Sequence, residues 1–291
     1  MNSQILTDVA IIGAGPAGMS AAIQLSRFGV SFVVFEQNHI GGLAVNANKI
    51  ENYLGFPSGI SGRKFVSLLE EMAENFSVNI KYERVISVEF IKSLFVIRTK
   101  TETYRSKFVI VASGTKAKRF SGCDVSDKLA DKIFYEIEEL RDIDGNEVAI
   151  VGAGDAAFDY AVSLAERKNK VIIVNRSERI KALCVLRKKV LEYPNVTYKS
   201  NLTIEKIFSH NRGLVIETRD DNNKKHKIYA DYLIFAIGRE PQLDFLSLSA
   251  KRADGIYFCG DVCNRDFRQI AIASGEGLKA AMMIYDCLRK K

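Results

Sequence analysis

The chain has 291 residues, of which 47% are hydrophobic and 26% charged, and its formal net charge is +7. This apolar content is enough for one large or two ordinary cores, which indicates a compact globular protein. No stretch approaches the ~18 apolar residues that a membrane-spanning helix needs. Residues 1–8, MNSQILTD, lack the basic region and apolar core of a secretory signal. We therefore expect a cytoplasmic protein with no membrane partner.

The five cysteines form an odd and scattered set, which fits a reducing compartment better than a disulfide framework. The positive charge lies in short basic runs such as 116–119, 187–189 and 224–227. These runs are either a solvated surface or a field that attracts an anionic cofactor or an acidic partner protein. They are not interleaved with aromatic residues and no nucleic-acid-binding motif accompanies them, so we expect no nucleic-acid partner.

The first organised segment is residues 8–36, whose pattern predicts a strand, a tight turn, a helix and a second strand. The three glycines of its GAGPAG turn permit the turn, a close backbone approach to a pyrophosphate, and tight packing of helix on strand. Glu36 follows about 20 residues on, where an acid accepts both ribose hydroxyls of an unphosphorylated adenosine. The segment therefore predicts a dinucleotide site rather than a purely structural turn. Its candidate residues are Gly13, Gly15, Pro16, Ala17 and Gly18.

Residues 41–62 are too rich in Gly and Asn for a regular element, and we expect a loop that folds over something. A helix is predicted over 63–75. The apolar run 108–112 breaks into Ser113 and Gly114, which is typical of a buried parallel strand. Between helix and run, an antiparallel ribbon of short strands is predicted at 78–82, 85–90 and 94–99.

From residue 145 the opening pattern returns, with GAGDAA at 152–157. Two such units indicate a chain that binds two dinucleotides, or a duplicated fold that has lost one site. The second unit closes without an acid, on Asn175 and Arg176 followed by Arg179 and Lys181. Because cationic groups attract a 2′-phosphate that a carboxylate would repel, we expect this site to prefer NADP(H). The alternative is that these residues are ordinary surface charges.

The rest of the chain alternates short apolar runs with polar turns, one of them at 220–226. A final helix, rich in small residues at its start, is predicted from about Gln269, and such a start allows close approach of a flat ligand. Strands are predicted at 202–208, 214–218, 231–237 and 256–259.

Taken in order, these motifs resemble the two-dinucleotide flavoproteins, and within them the low-molecular-weight thioredoxin-reductase-like group, over essentially the whole chain. The resemblance implies an α/β architecture of two Rossmann-like domains: an FAD-binding domain at 1–118 and 245–291, and an inserted NAD(P)H-binding domain at 119–244. It also implies a homodimer. The matching pieces are GAGPAG at 13–18, Glu36, GG at 41–42 with ENY at 51–53, VASGT at 111–115, GAGDAA at 152–157, AIGREP at 236–241, and CGD with RQIAIASGEG at 259–277.

The resemblance further implies which residues hold each cofactor. Asp261 is expected to bond the ribityl chain of FAD, and Arg268, Gln269 and Ile270 to lie beside the isoalloxazine. The FAD set is completed by Glu36, Gly42, Asn52, Ala112, Gly114 and Gly260. For NADPH, expected in preference to NADH, the set is Gly152, Gly154, Asp155, Ala156, Ala157, Asn175, Arg176, Lys181 and Gly238. No metal site is expected, since the three histidines are scattered and no His or Cys pair has zinc-ligand spacing.

The cysteines depart from the family pattern. Thioredoxin reductases carry a CxxC just before the second glycine motif, where this chain has KIFYEIEELRDIDG at 132–145. The glutathione-reductase-like branch places two cysteines after GG, where this chain has Ala44 and Lys49. A dithiol passes electrons from flavin to a protein disulfide by thiol exchange, so the ordinary mechanism is not expected here. Cys259 and Cys263 are either a displaced redox pair or a core residue and an unrelated thiol, and we favour the second interpretation.

The resulting hypothesis is an enzyme that passes electrons from NADPH through FAD to a small acidic electron carrier, ferredoxin or flavodoxin-like, or to a small-molecule acceptor. The chain also resembles the ferredoxin-NADP reductases of thioredoxin-reductase-like fold, which lack the CxxC, and its basic balance suits an acidic carrier. Two alternatives remain open. One is a thioredoxin or other disulfide reductase that uses Cys259 and Cys263. The other is a flavin redox sensor or assembly subunit without enzymatic activity.

Overall fold

The computed structural model describes residues 5–123, 125, 127–211 and 213–290. The chain forms two units, crossing from the first to the second after Lys116 and returning after Arg239. The first unit contains residues 1–45, 49–116 and 240–291, and the second contains 117–239 together with Asn46–Asn48. The boundaries expected from the sequence are 118/119 and 244/245.

Before the first crossing, the chain alternates strands and helices and includes a 3₁₀ turn at Gly42–Asn46. That turn lies in the stretch for which the sequence predicts only a loop. The elements are β1 (Ile5–Ile12), α1 (Pro16–Arg27), β2 (Phe32–Phe35), α2 (Gly62–Asn75), β3 (Ile80–Lys81), β4 (Ser87–Ile91), β5 (Leu94–Arg98), β6 (Thr103–Val111) and β7 (Thr115–Ala117).

The second unit repeats the strand-helix-strand order and adds a separate hairpin sheet. Its elements are β8 (Ile133–Phe134), β9 (Glu147–Val151), α3 (Asp155–Glu166), β10 (Lys170–Val174), α4 (Cys184–Val190), β11 (Val196–Lys199), β12 (Thr203–His210), β13 (Gly213–Arg219), β14 (Lys225–Ala230) and β15 (Tyr232–Phe235). Strand β16 (Arg239–Pro241) spans the return to the first unit. After the return, the chain completes the first unit with α5 (Leu248–Lys251), β17 (Ile256–Phe258) and α6 (Ile270–Arg289).

The main sheet of the first unit has the order β3-β2-β1-β6-β5-β4. β1 pairs in parallel with β2 and β6, and β17 pairs in parallel with the second half of β6, Ile256 opposite Val109. Side chains alternate across this sheet, so Val9 and Ile11 enter one buried core while Ala10 and Ile12 enter the other. Parallel pairing brings the carboxyl ends of β1, β6 and β17 to one edge of the sheet, where ligands bind in folds of this type.

Helix α6 packs directly on helix α1. A Cβ at Gly277 would lie 1.9 Å from the backbone oxygen of Ala17, so only glycine permits this approach. The rings of Phe28 and Tyr285 stack nearby with centroids 4.0 Å apart. The last helix is therefore fixed against the helix that follows the first glycine turn.

In the second unit, a sheet of order β11-β10-β9-β15-β8 is parallel throughout, and β12-β13-β14 form an antiparallel sheet of their own. Strand β14 was not predicted, because only the turn at 220–226 was read there. Its alternation is hidden by charged outward residues: Ile228 and Ala230 are buried, while Lys225 and Lys227 are exposed.

One sequence expectation is wrong. The run at 78–82 does not join an antiparallel ribbon with 85–90 and 94–99; instead β3 pairs in parallel with β2 at the opposite edge of the sheet, Ile80 opposite Val34. The physical reason is the crossover: α2 carries the chain over the sheet, and a strand that returns after a helix runs parallel to its neighbour.

Within the described part of the chain, no helix is both long and apolar enough to span a bilayer, and no group of His, Cys, Asp or Glu side chains is placed to hold a metal ion.

Candidate functional site

The first glycine turn joins β1 to α1, and its three glycines serve different purposes. Gly13 has φ +104°, and a Cβ there would lie 2.3 Å from the Ala112 oxygen; a Cβ at Gly18 would lie 1.8 Å from the Gly13 oxygen. Both positions therefore need glycine for the fold itself. Gly15 is extended, and a Cβ there would meet nothing within 4 Å. Its missing side chain leaves open space at the amino end of α1, where backbone N–H groups attract a phosphate.

Glu36 is held beside this turn by its own backbone contacts. One carboxylate oxygen accepts the N–H of Ala14 at 2.8 Å, and the other accepts the N–H of Asn38 at 2.9 Å. Glu36 as a whole is only 9% exposed. Each oxygen keeps a second lone pair for a ribose hydroxyl, so the acid is oriented before any ligand arrives.

Of the other predicted FAD residues, Gly42 lies against the turn, and Asn52 contacts Gln269. A Cβ at Gly42 would lie 3.6 Å from the Cα of Gly15. The 41–42 loop therefore lies against the turn at residues 13–18, which we call the first cradle. Asn52 donates its side-chain N–H to Gln269 at 2.8 Å, and Gln269 directly precedes α6, whose first residue is Ile270. Gly114 has φ +63° with open space around it.

The Gly260–Asp261 turn lies against the start of α1. Gly260 has φ +77°, and a Cβ there would be 3.0 Å from the Cβ of Ala17. Arg268 donates its Nε–H to the Asn264 oxygen at 2.9 Å, which ties the residue to the same loop. The fold therefore places Gly260 beside the first glycine turn, although the two are about 240 residues apart in the sequence.

Two residues at this turn were missed by the sequence reasoning. Glu276 accepts the N–H of Gly260 at 2.7 Å, and the side-chain N–H of Asn264 donates to both Glu276 oxygens at 2.9 and 3.0 Å. A signal was present: Glu276 stands between two glycines in ASGEG, inside a helix stretch otherwise made of small residues. A lone acid in such a setting needs partners.

The second glycine turn repeats the geometry of the first. Gly152 has φ +135°, and a Cβ there would lie 2.3 Å from the Ala236 oxygen. Gly154 is extended with nothing within 4 Å of a Cβ, so it also leaves open space at a helix start. Ala157 is fully buried and serves the packing of α3, whereas its neighbour Ala156 is exposed. Gly238, with φ +109°, faces open space as well, its nearest neighbour being Lys118 at 3.8 Å.

The loop after β10 carries the predicted 2′-phosphate residues. Asn175 is buried, and its side-chain N–H groups bond the oxygen of Ser177 at 2.6 Å and the Tyr198 hydroxyl at 3.0 Å. Its role is therefore to shape the loop. Arg176 and Lys181 are exposed, and the N–H of Lys181 bonds the Ala153 oxygen at 2.8 Å, which folds the loop back onto the glycine turn. Asp155 is engaged too, accepting the N–H of Leu183 at 2.8 Å.

The stretch 132–145, where the CxxC stands in thioredoxin reductases, is packed into the second unit. The ring of Tyr135 stacks on Phe235 with centroids 5.6 Å apart, and its hydroxyl accepts the N–H of Phe120 at 3.2 Å. Glu136 pairs with Arg239 and accepts from the Tyr160 hydroxyl at 3.3 Å. Ile137 and Leu140 are buried. Aromatic, apolar and ionic contacts thus occupy a stretch that holds no thiol.

All five cysteines lie in the described part of the chain, and each is a thiol rather than half of a disulfide. Cys259 is 1% exposed, and burial raises its pKa to about 12. Burial, together with the nearby Glu276 carboxylate, raises the pKa of Cys263 to about 11. Both thiols are therefore protonated at neutral pH, and a protonated thiol is a poor nucleophile. This environment does not favour a redox pair.

The first cradle fits FAD, and the matching turn at residues 152–157, which we call the second cradle, fits NADPH. In the first, open space at Gly15 meets a helix start and a pre-oriented acid, as FAD with its free adenosine hydroxyls requires. In the second, open space at Gly154 meets exposed Arg176 and Lys181, as NADPH requires.

Comparison with known proteins gives consistent matches. The family model described as pyridine nucleotide-disulphide oxidoreductase matches residues 7–277. A thioredoxin reductase of Borreliella burgdorferi is 27% identical over 304 residues, covering 98% of this chain and 93% of that protein. The thioredoxin reductase of T. acidophilum superposes with a TM-score of 0.87 at 27% identity, covering 98% of this chain and 100% of that one. The Lactococcus lactis thioredoxin reductase reaches 0.89 at 23% identity with the same coverage.

Proposed function

The chain belongs to the family of pyridine nucleotide-disulphide oxidoreductases, and from that premise we propose that it passes electrons from NADPH through FAD to an external acceptor without a dithiol of its own. It is an NADPH-dependent flavoprotein oxidoreductase of thioredoxin-reductase-like fold. The observation that carries the proposal is the stretch 132–145, which holds no cysteine and is filled by core contacts of Tyr135, Glu136 and Ile137.

When bound, FAD takes the hydride of NADPH and releases the electrons to an acceptor. The chain's residues bind and orient. Glu36 fixes the adenosine end of FAD, and the amino end of α1 neutralises its pyrophosphate. Arg176 and Lys181 select the phosphorylated nicotinamide cofactor at the second cradle. No side chain needs to carry electrons.

The acceptor has two candidates. The curated relatives are named thioredoxin reductases, which favours a disulfide as the acceptor over the electron carrier that the sequence hypothesis put first. If the acceptor is a disulfide, NADPH and one proton would reduce it to two thiols and leave NADP⁺. The second candidate is a small acidic carrier, supported by the net charge of +7 and the cysteine-free stretch. In either case we propose that Cys259 and Cys263 take no part, since burial and Glu276 keep their thiols protonated. We also propose a homodimer, which sedimentation velocity would test.

The test is an anaerobic NADPH titration of the purified protein, followed by flavin absorbance, and then addition of thioredoxin disulfide, ferredoxin or ferricyanide in turn. We expect NADPH to bleach the flavin band. The Cys259→Ser, Cys263→Ser double variant should reduce each acceptor at the wild-type rate, as should a Cys184→Ser control. Loss of thioredoxin disulfide reduction in the double variant alone, with ferricyanide reduction kept, would establish a thiol relay instead. A flavin that NADPH does not bleach would identify a redox sensor.

A further inference from the structure

Gly260 is held by hydrogen bonds to both its N–H and its carbonyl oxygen. Its N–H donates to Glu276 at 2.7 Å. Its oxygen accepts the side-chain N–H of Asn264 at 3.1 Å and the Cys263 thiol at 3.2 Å. Asn264 then donates to both oxygens of Glu276 at 2.9 and 3.0 Å. We name Glu276 and Asn264, with these bonds, the carboxylate clamp.

The clamp lies at the first cradle. Glu276 directly precedes Gly277, which packs within van der Waals distance of Ala17 because it has no Cβ. A Cβ at Gly260 would lie 3.0 Å from the Cβ of the same Ala17. Ala17 is the second residue of α1, so the clamp joins α6 to the turn that leads into Asp261, immediately beside the helix start where the FAD pyrophosphate would lie.

The chemistry of the clamp requires an acceptor at position 276. The Gly260 N–H and the Asn264 side-chain N–H both point at Glu276, so the carboxylate meets two donors and the bonds are charge-assisted. An amide at that position would present its own NH₂ to one of these donors.

We infer that Glu276, through Asn264 and the Gly260 peptide, positions Asp261 for the ribityl chain of FAD, and is thus a positioning residue for the cofactor. The inference rests on FAD being the cofactor of the first unit. It adds two residues, Glu276 and Asn264, that do not themselves need to touch the cofactor. It also explains why a charged side chain stands in the small-residue start of α6.

The test measures FAD binding by apo-protein rather than turnover. In Glu276→Gln, FAD should bind about tenfold more weakly and dissociate faster, since the amide places a donor against a donor. Asn264→Ala removes the partner without touching α6 and should weaken FAD binding in the same direction. Binding is followed by quenching of flavin fluorescence, and the folding of each apo-variant by its thermal midpoint.

The matched control is Glu71→Gln, an exposed glutamate on α2, which should bind FAD as the wild type does. The coupling test is the double variant Glu276→Gln, Asn264→Ala. It should bind FAD as the weaker of the two single variants does, because both residues act on the same peptide and are directly coupled. A role in folding alone would lower the thermal midpoint of the apo-protein without weakening FAD binding.

Glu276→Gln with unchanged FAD affinity would overturn the inference while leaving the proposed function intact. A double variant weaker than both single variants would also overturn it. A wild-type protein that cannot be reconstituted with FAD would overturn the proposed function and the inference together.

Discussion

At the scale of the residue, we propose that Glu36 in the first unit and Arg176 in the second select the adenosine that each unit binds. Glu36 directly follows the second strand of its glycine-motif unit, whereas Arg176 stands one residue further along in the other unit, after Asn175. The carboxylate is fixed by the N–H groups of Ala14 and Asn38 and suits free ribose hydroxyls. The guanidinium is exposed and suits a 2′-phosphate.

Replacing Arg176 by Ala should weaken NADPH binding by about 1.5 to 3 kcal/mol, the size of a charge-assisted contact, while sparing NADH. The dissociation constants of both cofactors, measured by titration, check this difference. Arg187→Ala, an exposed basic residue on α4, serves as the control and should change neither. Equal weakening of NADPH and NADH in Arg176→Ala would mean that the residue does not contact the phosphate.

Cys263 should react slowly with iodoacetamide at pH 8. Its thiol has a pKa of about 11, raised by burial and by the Glu276 carboxylate, so only about one molecule in a thousand is a thiolate at that pH. Its rate of alkylation should rise about tenfold per pH unit between pH 8 and 10. Peptide mass spectrometry measures this rate, with exposed Cys184 as the internal reference. A rate independent of pH in that range would contradict the raised pKa.

At the scale of the element, we propose that the starts of two helices bind the two cofactors. Both α1 and α3 follow an extended glycine whose Cβ would meet nothing within 4 Å. The protein alone does not need glycine at these two positions, in contrast to Gly13 and Gly152, where a Cβ would strike a backbone oxygen. Empty space that the fold does not require is space for a ligand.

The Gly15→Val variant should therefore fold, but its affinity for FAD should fall at least about tenfold, because the valine side chain would fill the space for the phosphates. Gly154→Val should in the same way lose NADPH and retain FAD. Flavin absorbance of the purified variants and NADPH titration separate the two effects. Glu71→Val, at an exposed position of α2, is the control and should retain both cofactors. Retention of FAD by a folded Gly15→Val variant would show that the cradle lies elsewhere.

At the scale of the whole molecule, each unit has its own sheet and its own buried clusters. Val9, Ile11 and Ile110 belong to the first unit, and Val148, Ile150 and Ile173 to the second. A unit with a separate core unfolds as a separate cooperative block unless its contacts with its neighbour are extensive.

Calorimetry should consequently show two unfolding transitions. FAD at about 100 times its Kd should stabilise the first unit by about 2.7 kcal/mol, and NADP⁺ at the same excess should stabilise the second by a similar amount. Each ligand should move one transition and leave the other in place. A single transition that both ligands shift equally would mean that the units unfold together.

The sequence by itself determined the two nucleotide-binding units, because Gly13, Gly18 and Glu36 act within about 25 residues of chain and their spacing is local. It also determined that the stretch 132–145 holds no cysteine. Only the tertiary structure decided the partner of β3, the strand β14, and the contact of Gly260 and Gly277 with α1. These depend on a crossover helix, on charged outward residues that hide an alternation, and on segments about 240 residues apart. Local sequence patterns do not predict such pairings, because the hydrophobic effect brings distant segments together without specifying which of them pair.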